Sequence, residues 1–414
     1  MGIFVARSGR SEKNGRVMKR KTIRQLDIQG RKILIRVDFN VPLQCDGAIK
    51  DDQRIREALP TIKYALGKNC SVILMSHLGR PKGDPGEDRN LRMNAVADRL
   101  RVLLPGVNIE KSDDVAGPAA KAAAKRLGPG RVLLLENLRF DPGEKNGDLE
   151  FSQRLHSFAD IYINDAFASC HRKDASMWAV PMAFPAEKRA IGLLVEKEIS
   201  VLDKLLANPE KPSVAVMGGA KISDKLGVMK SLVSRFDFLL VGGALSYTCL
   251  KARGSSVGES LVDAEKLPEI RRMEEESGEK LLLPLDHVIS FLANPKVNCR
   301  TVTGEIPAGW AGMDIGPLTV EAYCKVLSSA GTIVWNGPMG KFEDVKFRNG
   351  TLELAKCVGS SRAVKVLGGG ETGEAVKEFG LSEKMTFIST GGGAFLAYLE
   401  KGNLPALSLI EEER

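Results

Sequence analysis

Short apolar runs rich in β-branched residues punctuate the chain from residue 32 onward. They are KILIRV (32–37), SVILM (71–75), RVLLL (131–135), IYI (161–163), SVAVM (213–217), FLLV (238–241), LLL (281–283), TIVW (332–335), VKVL (364–367) and TFIS (386–389). Runs that are apolar almost throughout, rather than alternating, suit strands covered on both faces of a parallel sheet. Between them the apolar positions take helical spacing, as in Asn94–Leu104 and Ile222–Ser234. This alternation predicts an α/β fold. Ten strands in 414 residues suit two doubly wound, Rossmann-like parallel-sheet domains better than one barrel. Leu193–Leu206 reads as one charged amphipathic helix that ends at Asn208-Pro209, with Lys211-Pro212 following. It is expected to be a hinge helix, with a linker, spanning 193–212.

Composition narrows the class. Apolar residues make up 43% and charged residues 27%, as in ordinary globular proteins. No stretch approaches the ~18 apolar residues that a membrane span needs, so no membrane partner is expected. Seven scattered cysteines, odd in number and never CxxC, argue against a disulfide framework or cysteine zinc site. They point to a reducing, cytoplasmic setting. The net charge of +8 is confined to residues 1–32, where ten basic side chains face only Glu12 and Asp27. The remainder is neutral overall, so a nucleic-acid-binding field is not expected. Residues 1–17 show neither period and are expected to form a disordered basic arm, with Met18 as an alternative start.

The strand ends carry the chemistry, because ligands of open α/β sheets bind outside the carboxyl ends of strands. In the first half these ends read DFN, SHLGR, ENLRF and NDAFASCHR. Asp38 and Asn40, two apart in extended backbone, point to the same side. Arg54, His77, Arg80, Arg139 and Arg172 lie at or just beyond strand ends. Any one arginine alone is better read as a surface ion pair. Four converging suit a small, highly anionic ligand, since guanidinium matches phosphate and carboxylate bidentately.

In the second half the ends read GGAK, GGA, NGPMG, GGGET and STGGGA. Backbone amides reach phosphates only where side chains are absent, and helix N-termini add positive charge. Gly391, Gly392 and Gly393 are expected to open a helix. Lys221 and Lys225, four apart after Gly218-Gly219, are expected to share the face of a starting helix and reach phosphates. Tight packing alone would account for one glycine pair but hardly for five clusters. Gly368, Gly370 and Gly373 match G-x-G-x-x-G, yet the next strand ends in Thr390 rather than the acid that would hold a ribose. No Walker A motif, nucleophile elbow or protein-kinase catalytic loop is present.

The segments RVDFNVPL, DDQRIREALPTI, SHLGRPKG, ENLRF, NDAFASCHR, GGAKISDK, GMDIGP, WNGPMGKFE, GGGET and STGGGAFLAYLE occur in this order. Together they resemble the phosphoglycerate kinase family from about residue 18 to the C-terminus. The resemblance implies reversible phosphoryl transfer between ATP and the carboxylate of 3-phosphoglycerate, giving ADP and 1,3-bisphosphoglycerate, with magnesium as the nucleotide's metal. It implies a 3-phosphoglycerate domain over 18–192, with Asp38, Asn40, Arg54, His77, Arg80, Arg139 and Arg172 at the substrate. A Mg-nucleotide domain over 213–390 is implied as well. Its matching positions are Gly219, Lys221, Lys225, Asn336, Pro338, Glu343, Gly369, Gly370, Glu371 and Thr372. Of these the lysines would touch phosphates, Asn336 and Glu343 would lie near adenine and ribose, and 369–372 near the phosphates and metal. Residues 391–414 would return to the first domain.

Arg54, Lys221 and Gly391–Gly393 are implied to stabilise the phosphoryl in flight. Two positions depart from the family. Glu371 stands where Asp is usual, which puts its reach to magnesium in question. Asp174 stands where a second histidine is common, placing an acid beside the arginines, either to weaken anion binding or to orient an arginine. A monomer is expected. The rival readings are a nicotinamide-dependent oxidoreductase with a Rossmann domain and, third, a non-catalytic anion- or nucleic-acid-binding protein.

Overall fold

The computed structural model describes residues 20–84, 86–292 and 299–411; the expected basic arm and Met18 lie outside them. Strands β1 (Lys32–Val37), β2 (Ser71–Met75), β3 (Ile109–Lys111), β4 (Val132–Leu134), β5 (Ile161–Asp165) and β6 (Arg189–Ile191) form one parallel sheet. Its order is β3-β4-β2-β1-β5-β6. A second parallel sheet combines β7 (Ser213–Met217), β8 (Phe238–Val241) and β9 (Leu281–Leu282) with three strands from later in the chain. Between these in sequence, β10 (Asp286–Phe291), β11 (Cys299–Thr303) and β12 (Trp310–Ile315) make a small antiparallel sheet. Strands β13 (Thr332–Asn336), β14 (Val364–Leu367) and β15 (Phe387–Ile388) then complete the second parallel sheet, ordered β15-β14-β13-β7-β8-β9. Two six-stranded parallel sheets flanked by helices are the architecture expected from the apolar runs, and all ten runs fall in strands.

The reason lies in alternate side chains going to opposite cores. Ile33, Ile35 and Val37 of β1 pack into one cluster and Leu34 into another. In β7, Val214 and Val216 face one side, Ala215 and Met217 the other. Full burial of each such side chain contributes about 1.5–3 kcal/mol, so both faces favour apolar residues. The small antiparallel sheet escaped the sequence reading because β11 is largely exposed and its sequence, CRTVT, has no apolar run.

The helix Leu193–Ala207 leaves the first sheet with both ends tied down. Its Leu193 and Leu194 amides donate to Thr61 Oγ1 (2.8 Å) and Asp165 Oδ1 (2.9 Å). Leu202 and Leu205 join a core shared by Phe167 and Cys170 of the first half, Leu226 and Met229 of the second, and Leu404, Leu407 and Ile410 near the C-terminus. The Ala406 amide donates to the Cys170 carbonyl at 3.1 Å.

One cysteine pair is bridged. Cys324 and Cys357 form a disulfide, because the helices Pro317–Ser328 and Asn349–Ser360 lie side by side and bring their Cα atoms to 5.6 Å. It is the one disulfide among the described residues, a single staple across 33 residues rather than a framework. It also removes the cysteine argument for a reducing compartment. Among the described residues, no helix is long and apolar enough to cross a membrane.

Candidate active site

The first half presents a basic pocket built on a buried charge. Arg36, inside the apolar strand β1, is fully buried. It donates from Nε to Ser176 Oγ (2.8 Å), from Nη1 to the Val37 carbonyl, and from Nη2 to His77 Nδ1 (3.1 Å). Burial, reinforced by the Arg36 charge, drives the His77 pKa down to about 2, so the ring is neutral. With Nδ1 accepting, its proton sits on Nε2. Asp38 pairs with Arg54 and accepts from the Asn40 amide at 3.1 Å. Burial alone would raise its pKa, but the Arg54 and Arg36 charges outweigh it and hold the carboxyl below the usual range. Asn40 accepts from the Gly79 amide at 2.8 Å, which ties the ends of β1 and β2 together.

Beyond these strand ends Arg80, Arg139, Lys145 and Arg172 line a pocket of about 360 Å³. Arg139 Nε and Arg172 Nη1 are buried at this pocket without a hydrogen-bond partner among the described residues, although Asp174 lies 4.0 Å from the latter. An unsatisfied buried donor costs about 1–3 kcal/mol, and more when charged. Buried guanidinium donors of this kind suit an anionic ligand. Burial, with the neighbouring Arg172 charge, lowers the pKa of Arg139, and an anion in the pocket would offset both effects.

The second half offers bare backbone at its topological switch point, where β7 and β13 are neighbours with helices diverging to either side. A cavity of about 630 Å³ opens there. Gly219, Gly243, Gly312 and Gly340 form its bare parts, Leu261, Leu292, Met313 and Pro338 its apolar wall, and Glu259, Glu343 and Glu371 its acids, with Lys341 as a cation. An apolar wall with few polar groups suits a flat base, and glycine backbone suits phosphates. The Gly219 amide donates to the Pro338 carbonyl and the Gly218 amide to that of Asn336, both at 2.9 Å.

Lysines 221 and 225 do not share a helical face. The helix begins only at Leu226, since Gly219 takes a φ of +104° and residues 222–225 form a turn. Lys221 is exposed, whereas Lys225 turns inward and donates to the Gly218 carbonyl. Burial lowers its pKa to about 8, opposed by Glu371 and Asp224. Asn336 and Thr372 lie behind the cavity. The Asn336 amide packs against Gly368, and the Thr372 hydroxyl accepts from the Gly337 amide at 2.6 Å.

Between the halves lies a cleft of about 340 Å³, to which the first half contributes Asp51 and Arg54 and the second Gly369, Gly370, Lys377 and Thr390. Asp51 and Lys377 form an ion pair across it. The helix Gly392–Lys401 starts beside this cleft, with Gly391 as its N-cap. A Cβ on Gly392 would stand 3.1 Å from the Gly369 carbonyl oxygen, and one on Gly393 would stand 3.4 Å from His171 Nε2. The positive end of this helix therefore touches both half-sites. Glu198 of the 193–207 helix is buried and accepts from the Thr390 amide and hydroxyl, both at 2.7 Å. Burial pushes its pKa up to about 7.

Sequence reasoning missed Arg36, Lys145, Glu144, Ser176 and Glu198. Only Arg36 carried a visible signal, as a charge inside an apolar strand.

The family model for phosphoglycerate kinase matches residues 23–402. The phosphoglycerate kinase of Rubrobacter xylanophilus is 48% identical over 396 residues, covering 95% of this chain and 99% of that protein. That of Rhodopirellula baltica is 46% identical over 398 residues, covering 95% and 100%. The solved structure of phosphoglycerate kinase from Coxiella burnetii matches with a TM-score of 0.80 at 36% identity, covering 94% of this chain and 98% of its own. Nothing in these matches supports a nicotinamide-dependent oxidoreductase. Identity of this order over nearly the full length of both partners leaves one conclusion: the chain belongs to the phosphoglycerate kinase family and is a kinase with a carboxyl group as phosphoryl acceptor.

Proposed function

We propose that the two halves divide the reaction between them, residues 18–192 holding 3-phosphoglycerate and residues 213–390 holding the nucleotide. The observation that carries this is the pocket lined by Arg80, Arg139, Lys145 and Arg172, where the buried Arg139 Nε has no hydrogen-bond partner among the described residues, separate from the glycine-lined cavity. The pocket takes the phosphate of 3-phosphoglycerate, and Asp38 and Asn40 turn its carboxylate toward the interdomain cleft. His77, neutral and fixed by Arg36, supports that wall without titrating. The nucleotide base lies on the apolar wall at Pro338 and Leu261, with its phosphates toward Gly219, Lys221 and Lys225.

The nucleophile is a carboxylate, already ionised, so no general base is required. What remains is positioning and stabilisation of charge on the equatorial oxygens of the moving phosphoryl. Arg54 from one half, Lys221 from the other and the start of the 392–401 helix between them supply it. The 193–212 segment acts as the hinge and residues 391–414 return to the first domain. Closure brings the ligands in line and excludes the water that would hydrolyse ATP or the acyl phosphate. Both half-sites come from one chain, so a monomer suffices. A cytoplasmic location rests on the family alone. In a coupled assay, purified protein should form ATP from ADP and 1,3-bisphosphoglycerate; no ATP formation would refute the proposal.

Magnesium fits the second half only as a companion of the nucleotide. Among the described residues, no three acidic, histidine or cysteine side chains gather as a ligand set. Glu371, at the start of the helix Glu371–Glu378, does line the cavity. One carboxylate with phosphate oxygens and waters suits magnesium, which keeps several waters and prefers near-octahedral oxygen geometry. When bound, the ion neutralises charge on the β- and γ-phosphates. Glu371→Gln should raise the magnesium needed for half-maximal rate at fixed ATP by about three- to tenfold, while the KM for 3-phosphoglycerate stays unchanged. Superimposable magnesium titrations for the two proteins would remove Glu371 from the metal.

A further inference from the structure

Lys145 lies on a four-residue helix, Gly143–Asn146, that faces the segment after β5. A buried junction sets that arrangement. Glu144, fully buried, accepts from the Ser176 amide at 2.9 Å and from the Ser176 hydroxyl at 2.7 Å. Ser176 in turn accepts from Arg36. Positions 144 and 176 are thus locked, and their neighbours at 145 and 174 meet at the rim of the basic pocket.

There the Lys145 ammonium lies 3.4 and 3.5 Å from the two Asp174 oxygens, and Arg172 Nη1 lies 4.0 Å from one of them. Asp174 is buried, with only a tenth of its side chain exposed, whereas half of the Lys145 side chain is. Charge-assisted bonds normally close to about 2.7–2.9 Å, so this contact holds the ammonium loosely. The two Asp174 contacts occupy at most two of the three N–H donors, and at least one remains for a ligand. Lys173, by contrast, is committed elsewhere, with its ammonium 4.7 Å from the centre of the Trp178 ring.

We infer that Lys145 is a fourth phosphate-binding cation of the substrate pocket and that Asp174 is the residue that aims it. This rests on the reading that the pocket takes the phosphate of 3-phosphoglycerate. It explains why an acid stands among arginines. Arg80, Arg139, Arg172 and Lys145 carry four positive charges against the one negative charge of Asp174, so the pocket stays strongly cationic. The acid draws the flexible lysine stem over the pocket mouth rather than into solvent, and a pre-placed ammonium loses less side-chain entropy when the ligand arrives.

The test compares Lys145→Gln, Lys145→Arg and Arg139→Gln with the parent protein, by steady-state kinetics and by direct titration with 3-phosphoglycerate. Lys145→Gln should raise both the KM and the Kd for 3-phosphoglycerate by about tenfold, with kcat and the KM for ATP changing less than twofold. Lys145→Arg should restore most of the loss. Asp174→Asn should raise the KM in the parent background. In the Lys145→Gln background it should lower the KM, because the acid there only repels the ligand. A normal KM in Lys145→Gln with a raised KM in Arg139→Gln would overturn the assignment of Lys145 and leave the pocket standing. Normal values in both would overturn the pocket itself. The melting temperature checks that each variant is folded, and exposed Lys145 should shift it little.

Discussion

Replacing Arg54 by alanine is expected to lower kcat about a thousandfold while the KM for ATP moves less than about threefold. Arg54 sits at the start of the helix Gln53–Gly67, pairs with the buried Asp38 and reaches the interdomain cleft opposite Gly369 and Gly370. It is the only guanidinium of the substrate set that lines this cleft among the described residues. An interaction made chiefly in the transition state lowers kcat and kcat/KM together. Arg54→Lys should recover only a small part of the rate, because an ammonium cannot engage two oxygens in a plane. Turnover near that of the parent protein in Arg54→Ala would take the residue out of the chemistry.

The second large effect is expected at Gly218. A Cβ there would stand 2.1 Å from the Pro338 carbonyl oxygen and 2.6 Å from that of Gly337. Both neighbours are backbone, so no side chain can swing away. The ends of β7 and β13 would have to separate, and with them the Gly219–Pro338 and Gly218–Asn336 hydrogen bonds that shape the nucleotide cavity. Gly218→Ala should lose on the order of 3 kcal/mol of stability and weaken Mg-ADP binding at least tenfold. Gly370→Ala is the contrast. Gly370 has a φ of +77° and a ψ of −138° but open space around it, so only backbone strain of about 1–2 kcal/mol, with no clash, is expected. Urea midpoints and nucleotide titration decide the matter, and a midpoint for Gly218→Ala equal to that of Gly370→Ala would contradict it.

How far the sequence could be read follows from what each feature depends on. Continuous apolar runs declare parallel strands because two cores cover them, and β1, β2, β7, β8 and β14 match the runs residue for residue. Edge strands β3 and β6 are three residues long and too short for any period to register. The glycine clusters were rightly linked to the strand ends, yet packing explains more of them than their number suggested. Gly218, Gly243, Gly337 and Gly369 are each pressed against backbone, whereas Gly370 is not. Lys225 was expected to share a helical face with Lys221, but the helix starts only at Leu226, and after a positive φ at Gly219 Lys225 turns in to the Gly218 carbonyl. Strand-end arginines were visible because motif and position agree. Lys145 and Glu198 were not, because their partners, Asp174 and Thr390, are distant in sequence and met only through tertiary packing.

The division of labour between the halves is tested most directly by crossed titration calorimetry on Arg139→Gln and Lys221→Ala. Arg139 lines the basic pocket of the first half, and Lys221 is an exposed residue of the second, so its loss should not disturb folding. Each protein would be titrated separately with 3-phosphoglycerate and with Mg-ADP. Arg139→Gln should lose at least tenfold in affinity for 3-phosphoglycerate and bind Mg-ADP normally, and Lys221→Ala should show the reverse. Equal weakening of both ligands by either substitution would mean one shared site rather than two, and would contradict the account.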